Sequence, residues 1–170
     1  MLVLGIDPGT ATTGYGLVRE NPDGSLVVVD YGVILTPSKL PMPERLLELH
    51  KRLSEILLLH RPQTGAVEKL FFQSNVRTAL SVGQARGIAL LALAQAGLEV
   101  AEYTPLQVKS AVTGYGAAEK AQVQQMVGAI LSLSEIPTPD DAADALAVAI
   151  CHVHSYRINA LESLDGETPN

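Results

Sequence analysis

The chain has 170 residues, 47% of them hydrophobic. A domain of that size buries roughly 70% of the surface its unfolded chain exposes, so a single core without disulfide or structural-metal support is expected. The only cysteine, Cys151, excludes an intrachain disulfide and suits a reducing compartment. The formal net charge of −6 argues against a simple basic DNA-binding surface, yet residues 159–170 hold Glu162, Asp165 and Glu167 and no basic residue, so the rest of the chain stands at only −3.

Leu2–Asp7 is a short apolar run and reads as a buried strand. It is too short for a signal peptide and has no basic flank. Gly9–Gly14 reads as a Gly/Thr turn, Tyr15–Arg19 as a second strand, Asn21-Pro-Asp-Gly24 as a hairpin and Leu26–Leu35 as a third, β-branched strand. Glu44–His60 places Leu46, Leu49, Leu53, Ile56 and Leu57 on one helical face, with Pro43 near its start and Pro62 after its end. Gly65–Glu68 is a short strand that ends in a carboxylate. Asn75–Ala96 is a long helix stopped by Gly97, and Val100–Tyr103 a fifth strand. Thr104-Pro105 caps a short helix through Val112. Ala117–Leu131 is another helix, and Asp140–Ile158 the last, after the break at Pro137-Thr-Pro139. The expectation is one α/β domain over 1–158 with a mixed sheet, and a disordered acidic tail over 159–170. Strand order is not readable from this pattern. The best apolar run, Ile88–Ala94, is far too short to span a membrane, so a cytoplasmic protein is expected.

Carboxylates stand out. Asp7 closes a strand that belongs at the sheet centre, where an ionised group is costly unless solvated, paired or bound to a cation. A plain turn-forming Asp before Pro8-Gly9 is the bland alternative. Glu68 ends Ala66-Val67 in the same way, although Lys69 offers an ordinary surface partner. Asp141 and Asp144, at i and i+3, share one helix face, and the alanines around them allow close approach to a sheet. Acidity at a helix N-terminus explains Asp140 and Asp141 through the dipole, but it explains Asp144 less well. Four such oxygen donors converging would suit Mg²⁺ or Mn²⁺. Cys151, His152 and His154 do not form a rival cluster, because i and i+2 on a helix point to different faces.

These segments resemble the RuvC-type Holliday junction resolvases. The likeness rests on Gly5-Ile-Asp-Pro-Gly-Thr10 with Thr13-Gly-Tyr-Gly16, Ala66-Val-Glu-Lys-Leu-Phe-Phe72, Gly83-Gln-Ala-Arg-Gly87, Gln107-Val-Lys109, Ala118-Glu-Lys-Ala-Gln-Val123 and Asp141-Ala-Ala-Asp-Ala-Leu-Ala147, in order along nearly the whole chain. It implies an RNase H-like fold with a five-stranded mixed sheet flanked by helices. It also implies a homodimer that binds a four-way DNA junction and nicks two opposed strands symmetrically, beside a branch-migration motor of RuvA and RuvB type. It assigns Asp7, Glu68, Asp141 and Asp144 as catalytic carboxylates holding two Mg²⁺ ions, with Mn²⁺ a plausible substitute, and it selects Asp141 over Asp140.

The resemblance also places Lys109 and Lys120 near the scissile DNA and makes Phe71 an aromatic wedge that stacks on a base. Lys120 opens a helix, where a cation works against the dipole, so its presence asks for another reason. Arg77 and Arg86, on the long helix, face either phosphates or a dimer partner. That helix carries Ala79, Leu80, Ile88, Leu90, Leu91 and Leu93, a coverage broad enough for burial on more than one side. The implied chemistry is two-metal hydrolysis leaving a 5′-phosphate and a 3′-hydroxyl, with Lys120 adding charge to the transition state. Two rivals follow from the same residues. Gly5–Thr10 is similar to the phosphate turn of actin-like ATPases and sugar kinases, which need a second related domain that 170 residues do not supply. A catalytically silent junction-binding module is the other, though an unused acidic cluster would repel DNA.

Overall fold

The computed structural model describes residues 1–69 and 76–165. Phe71 lies outside the described residues, as do 166–170 of the expected tail and the side chain of Arg77. The chain runs β1 (Leu2–Asp7), β2 (Thr12–Glu20), β3 (Leu26–Leu35), α1 (Met42–His60), β4 (Thr64–Glu68), α2 (Val76–Gln95), β5 (Glu99–Tyr103), α3 (Pro105–Thr113), α4 (Lys120–Ile130) and α5 (Asp140–Asp165). The sheet order is β3-β2-β1-β4-β5. The first three strands form an antiparallel meander, and β4 and β5 add in parallel. Parallel neighbours need crossovers, and α1 and α2 supply them.

The sheet is covered on both faces. Leu49, Leu53 and Leu57 of α1 and Ala85, Ala89 and Leu93 of α2 pack with Leu4, Ile6 and Leu17 on one side. On the other, Leu146, Ile150 and Val153 of α5 pack with Val3 and Val18, flanked by α3 and α4. This explains why β1 reads as a continuous apolar run rather than an alternating one.

Helix α5 lies very close to β1 and β2 because glycines face it. A methyl group on Gly14 would collide with the Asp141 carbonyl oxygen, one on Gly5 would sit 2.6 Å from Ala149 N, and one on Gly16 2.8 Å from Leu146 Cδ2. The expected turn at Gly9–Gly14 is therefore too long. Thr12, Thr13 and Gly14 are already β2, with Gly14 opposite Asp7; Gly14 serves helix approach rather than chain reversal. Helix α4 begins at Lys120, later than expected, since Gln122 Oε1 accepts from Glu119 N at 2.9 Å and fixes Glu119 as the cap. The last helix continues past Ile158 to Asp165, so 159–165 is helical where a disordered tail was expected. Among the described residues no helix is long and apolar enough to cross a membrane.

Candidate active site

Asp7 and Glu68 end adjacent parallel strands, β1 and β4, at the same edge of the sheet. Their carboxyl groups are close enough to share a hydrogen bond. Asp144 and Asp141 arrive from the first turns of α5, which the glycine contacts press onto β1 and β2, and both act on Asp7 through space. The four carboxylates named from sequence are thus brought to one end of the molecule by two strands and a helix.

The electrostatics are those of a site with more negative charge than it can hold alone. Burial, then repulsion from Glu68, Asp144 and Asp141, pushes the Asp7 carboxyl up to about 8, against the pull of Lys120. Burial and Asp144 push Glu68 up to about 7, while Lys120, Lys109 and the hydrogen bond from Asp7 draw it down. Asp144 is also raised, by burial first, with Lys120 opposing. Such displacement from the ordinary carboxylate range marks functional sites more often than structural ones.

Lys120 Nζ donates to Asp144 at 2.9 Å and lies 3.3 Å from Asp140. Burial alone would lower its pKa, but the bonds and charge of Asp144 and Asp140 raise it, so it stays a cation. Asp140, which the sequence left without a part, anchors Lys120 and accepts from Gln124 Nε2 at 2.9 Å. Lys109 joins Glu68, Lys120, Asp144 and the apolar groups of Pro105, Val108, Val123 and Ala147 around a cleft of about 200 Å³. A larger groove of about 370 Å³ between α1 and α2 has Arg61 as its only ionisable lining group, so it offers no comparable chemistry.

The donor set fits hard divalent cations. It is all carboxylate oxygen, it is partly desolvated, and its own repulsion is what a cation would relieve. Among the described residues no three acidic, histidine or cysteine side chains form a ready metal cage.

Two buried hydroxyls, to which the sequence reading gave no role, hold the turn after Asp7. Thr13 Oγ1 donates to Gly9 O at 2.6 Å, and Thr36 Oγ1 donates to Thr10 O. Thr36 N also donates to Ala11 O at 3.1 Å. β-Branched residues beside a glycine turn were the available signal. The Arg86 guanidinium pairs with Glu102 of β5 in the same chain.

A sequence model described as crossover junction endodeoxyribonuclease RuvC matches residues 3–152. A crossover junction endodeoxyribonuclease RuvC from Syntrophomonas wolfei is 57% identical over 164 residues, covering 96% of this chain and 95% of that protein. The Thermus thermophilus RuvC structure aligns with a TM-score of 0.87 at 40% identity, over 94% of this chain and 97% of that one. A second T. thermophilus RuvC structure, in complex with Holliday junction substrate, aligns with a TM-score of 0.85 at 37% identity, over 93% and 96% of the two chains.

Proposed function

The chain belongs to the crossover junction endodeoxyribonuclease RuvC family, and on that footing we propose that it resolves four-way DNA junctions through the carboxylates Asp7, Glu68, Asp141 and Asp144. It is a nuclease with an RNase H-like fold, and its family implies dependence on a divalent metal. The finer reading is two Mg²⁺ ions, replaceable by Mn²⁺, and symmetric nicks in two opposed strands leaving 5′-phosphate and 3′-hydroxyl ends. Residues 1–158 act as the nuclease domain and work in the cytoplasm as a homodimer beside a branch-migration motor of RuvA and RuvB type.

The observation that carries this reading is the meeting of Asp7, Glu68 and Asp144, each raised in pKa, beside a lysine held charged. Bound Mg²⁺ would supply an activated water and a charge clamp on the departing oxygen. The protein's own groups do the rest. Asp7 and Glu68, fixed on rigid strand ends, define where the scissile phosphate sits. Lys120, held by Asp140 and Asp144, keeps a positive charge where the phosphorane gains negative charge. Lys109 adds a second cation on the Glu68 side of the cleft. Phe71, with Arg77 as a further phosphate contact, is proposed to engage the junction centre. Arg86, which pairs with Glu102 in the same chain, is kept with Arg77 as a proposed contact to phosphate or to a dimer partner. The actin-like ATPase reading of Gly5–Thr10 gains no support, since the family match includes that turn.

Cleavage of a synthetic four-way junction tests this. The wild-type chain is expected to cut it with Mg²⁺ and not with EDTA. Asp7→Asn should lower the cutting rate by about a thousandfold or more while junction binding stays within about threefold of wild type. Full-rate cutting by Asp7→Asn would remove Asp7 from the chemistry, and a wild type that binds but never cuts would leave only the silent module.

A further inference from the structure

We propose that Arg45 is a DNA-phosphate contact on the opposite side of the acidic centre from Lys109 and Lys120, aimed by a hydroxyl relay from the turn that follows Asp7. The proposal rests on the reading that this centre cuts DNA.

The relay is explicit. Arg45 Nε donates to Thr36 Oγ1 at 2.9 Å, and that hydroxyl passes its own hydrogen to Thr10 O. Thr36 also grips the same turn through its backbone, and it is buried to 6% exposure. One face of the guanidinium is thereby fixed relative to the residues just after Asp7, at the catalytic edge of the sheet. Its terminal nitrogens are left over: among the described residues Arg45 enters no ion pair, as is also true of Arg19, Lys39, Lys51, Arg61 and Lys109, and what sets it apart is the bond from its Nε to a buried hydroxyl.

Its place in the helix makes this charge harder to explain as stabilisation. Arg45 is in the first turn of α1, where a cation opposes the dipole. It is only partly exposed, so it is not a freely solvated surface group either. The sheet supplies the geometry. Lys109 and Lys120 come from α3 and α4, on the face covered by α5. Arg45 comes from α1, on the other face. A strand laid across the sheet edge, with its scissile phosphate at Asp7 and Glu68, would meet the two lysines on one side and Arg45 on the other. Guanidinium is suited to this, because the nitrogens not used by Thr36 can fork onto phosphate oxygens.

The test is salt-dependent binding of a fluorescent four-way junction in Ca²⁺, paired with cleavage in Mg²⁺. Arg45→Ala is expected to weaken binding about tenfold and to reduce the slope of log Kd against log salt by about one per protomer. Arg45→Gln, which keeps a donor for Thr36 and removes the charge, should lose the same slope; it serves where Arg45→Ala fails to fold. Wild-type affinity and slope in both folded variants would overturn the proposal. So would a slower cut with unchanged binding, since Arg45 would then only hold the turn. A wild type that does not cut in Mg²⁺ would sink the nuclease reading, a result separate from either.

Discussion

Asp7 and Glu68 place a proton-linked switch in the metal-free protein. Their pKa values of about 8 and about 7 stand above the ordinary values of 3.8 and 4.5. Between those limits the folded state binds more protons than the unfolded chain, so stability falls as pH rises through the window. In EDTA the melting temperature should decline from about pH 5 to about pH 8 and level off beyond. Asp7→Asn should flatten most of that decline and raise the melting temperature at the alkaline end, because it removes the most displaced group. Cations must compete with the same protons. Below about pH 7 binding displaces close to two protons, so Mg²⁺ affinity should rise up to about a hundredfold per pH unit, easing to about tenfold between pH 7 and 8. Calorimetric titration across that range measures it, and a pH-independent affinity would mean that the cation does not bind at this pair.

At the scale of elements, α5 carries half of the acidic set and is seated by Gly5, Gly14 and Gly16. Gly14→Ala puts a methyl group against the Asp141 backbone, which cannot yield as a flexible side-chain tip would. It should cost about 1–3 kcal/mol, as overpacking does, and lift Asp141 and Asp144 away from Asp7. Thermal denaturation reads the first effect. The second is read as a cutting rate that falls further than the folded fraction does; a destabilised variant with full activity per folded molecule would separate the glycine seat from the site. The same glycines mark where sequence reading stopped. The apolar runs of β1 and β3 and the prolines around α1 gave their elements correctly, because burial and chain breaking are local properties. Gly14, inside β2, looked like the end of a turn, because the reason for a small residue there is a helix more than a hundred residues away. Spacing within Asp140–Asp144 placed two acids on one face but left Asp140 and Asp141 equivalent by chemistry; the fold separates them, sending Asp140 to Lys120 and Gln124. The pairing of Arg86 with Glu102 likewise could not be read, since Glu102 is on a strand whose place in the sheet was unknown.

At the scale of the whole molecule, a junction offers two opposed strands, and each chain holds one acidic centre. Symmetric cutting therefore asks for two copies related by a two-fold axis. The surface of α2 suits that role. Leu80, Gln84, Gly87, Leu91 and Ala94 are exposed and recur at the spacing of a coiled-coil seam. Leu80 is 66% and Leu91 47% exposed, and a side-chain carbon at Gly87 would meet nothing within 4 Å, which leaves room for a second helix to approach. Leu91→Glu places a charge in the proposed seam without touching the core, since the side chain faces solvent in the single chain. It should shift the protein from dimer to monomer by at least about tenfold in dissociation constant, followed by sedimentation equilibrium, with the melting temperature of the monomer little changed. Junctions treated with this variant should accumulate single nicks before the second strand is cut, whereas the wild type should release paired products directly. A Leu91→Glu protein that remains dimeric and still cuts in pairs would move the interface elsewhere, while a monomer that cuts in pairs would dissolve the link between two-fold symmetry and paired cleavage.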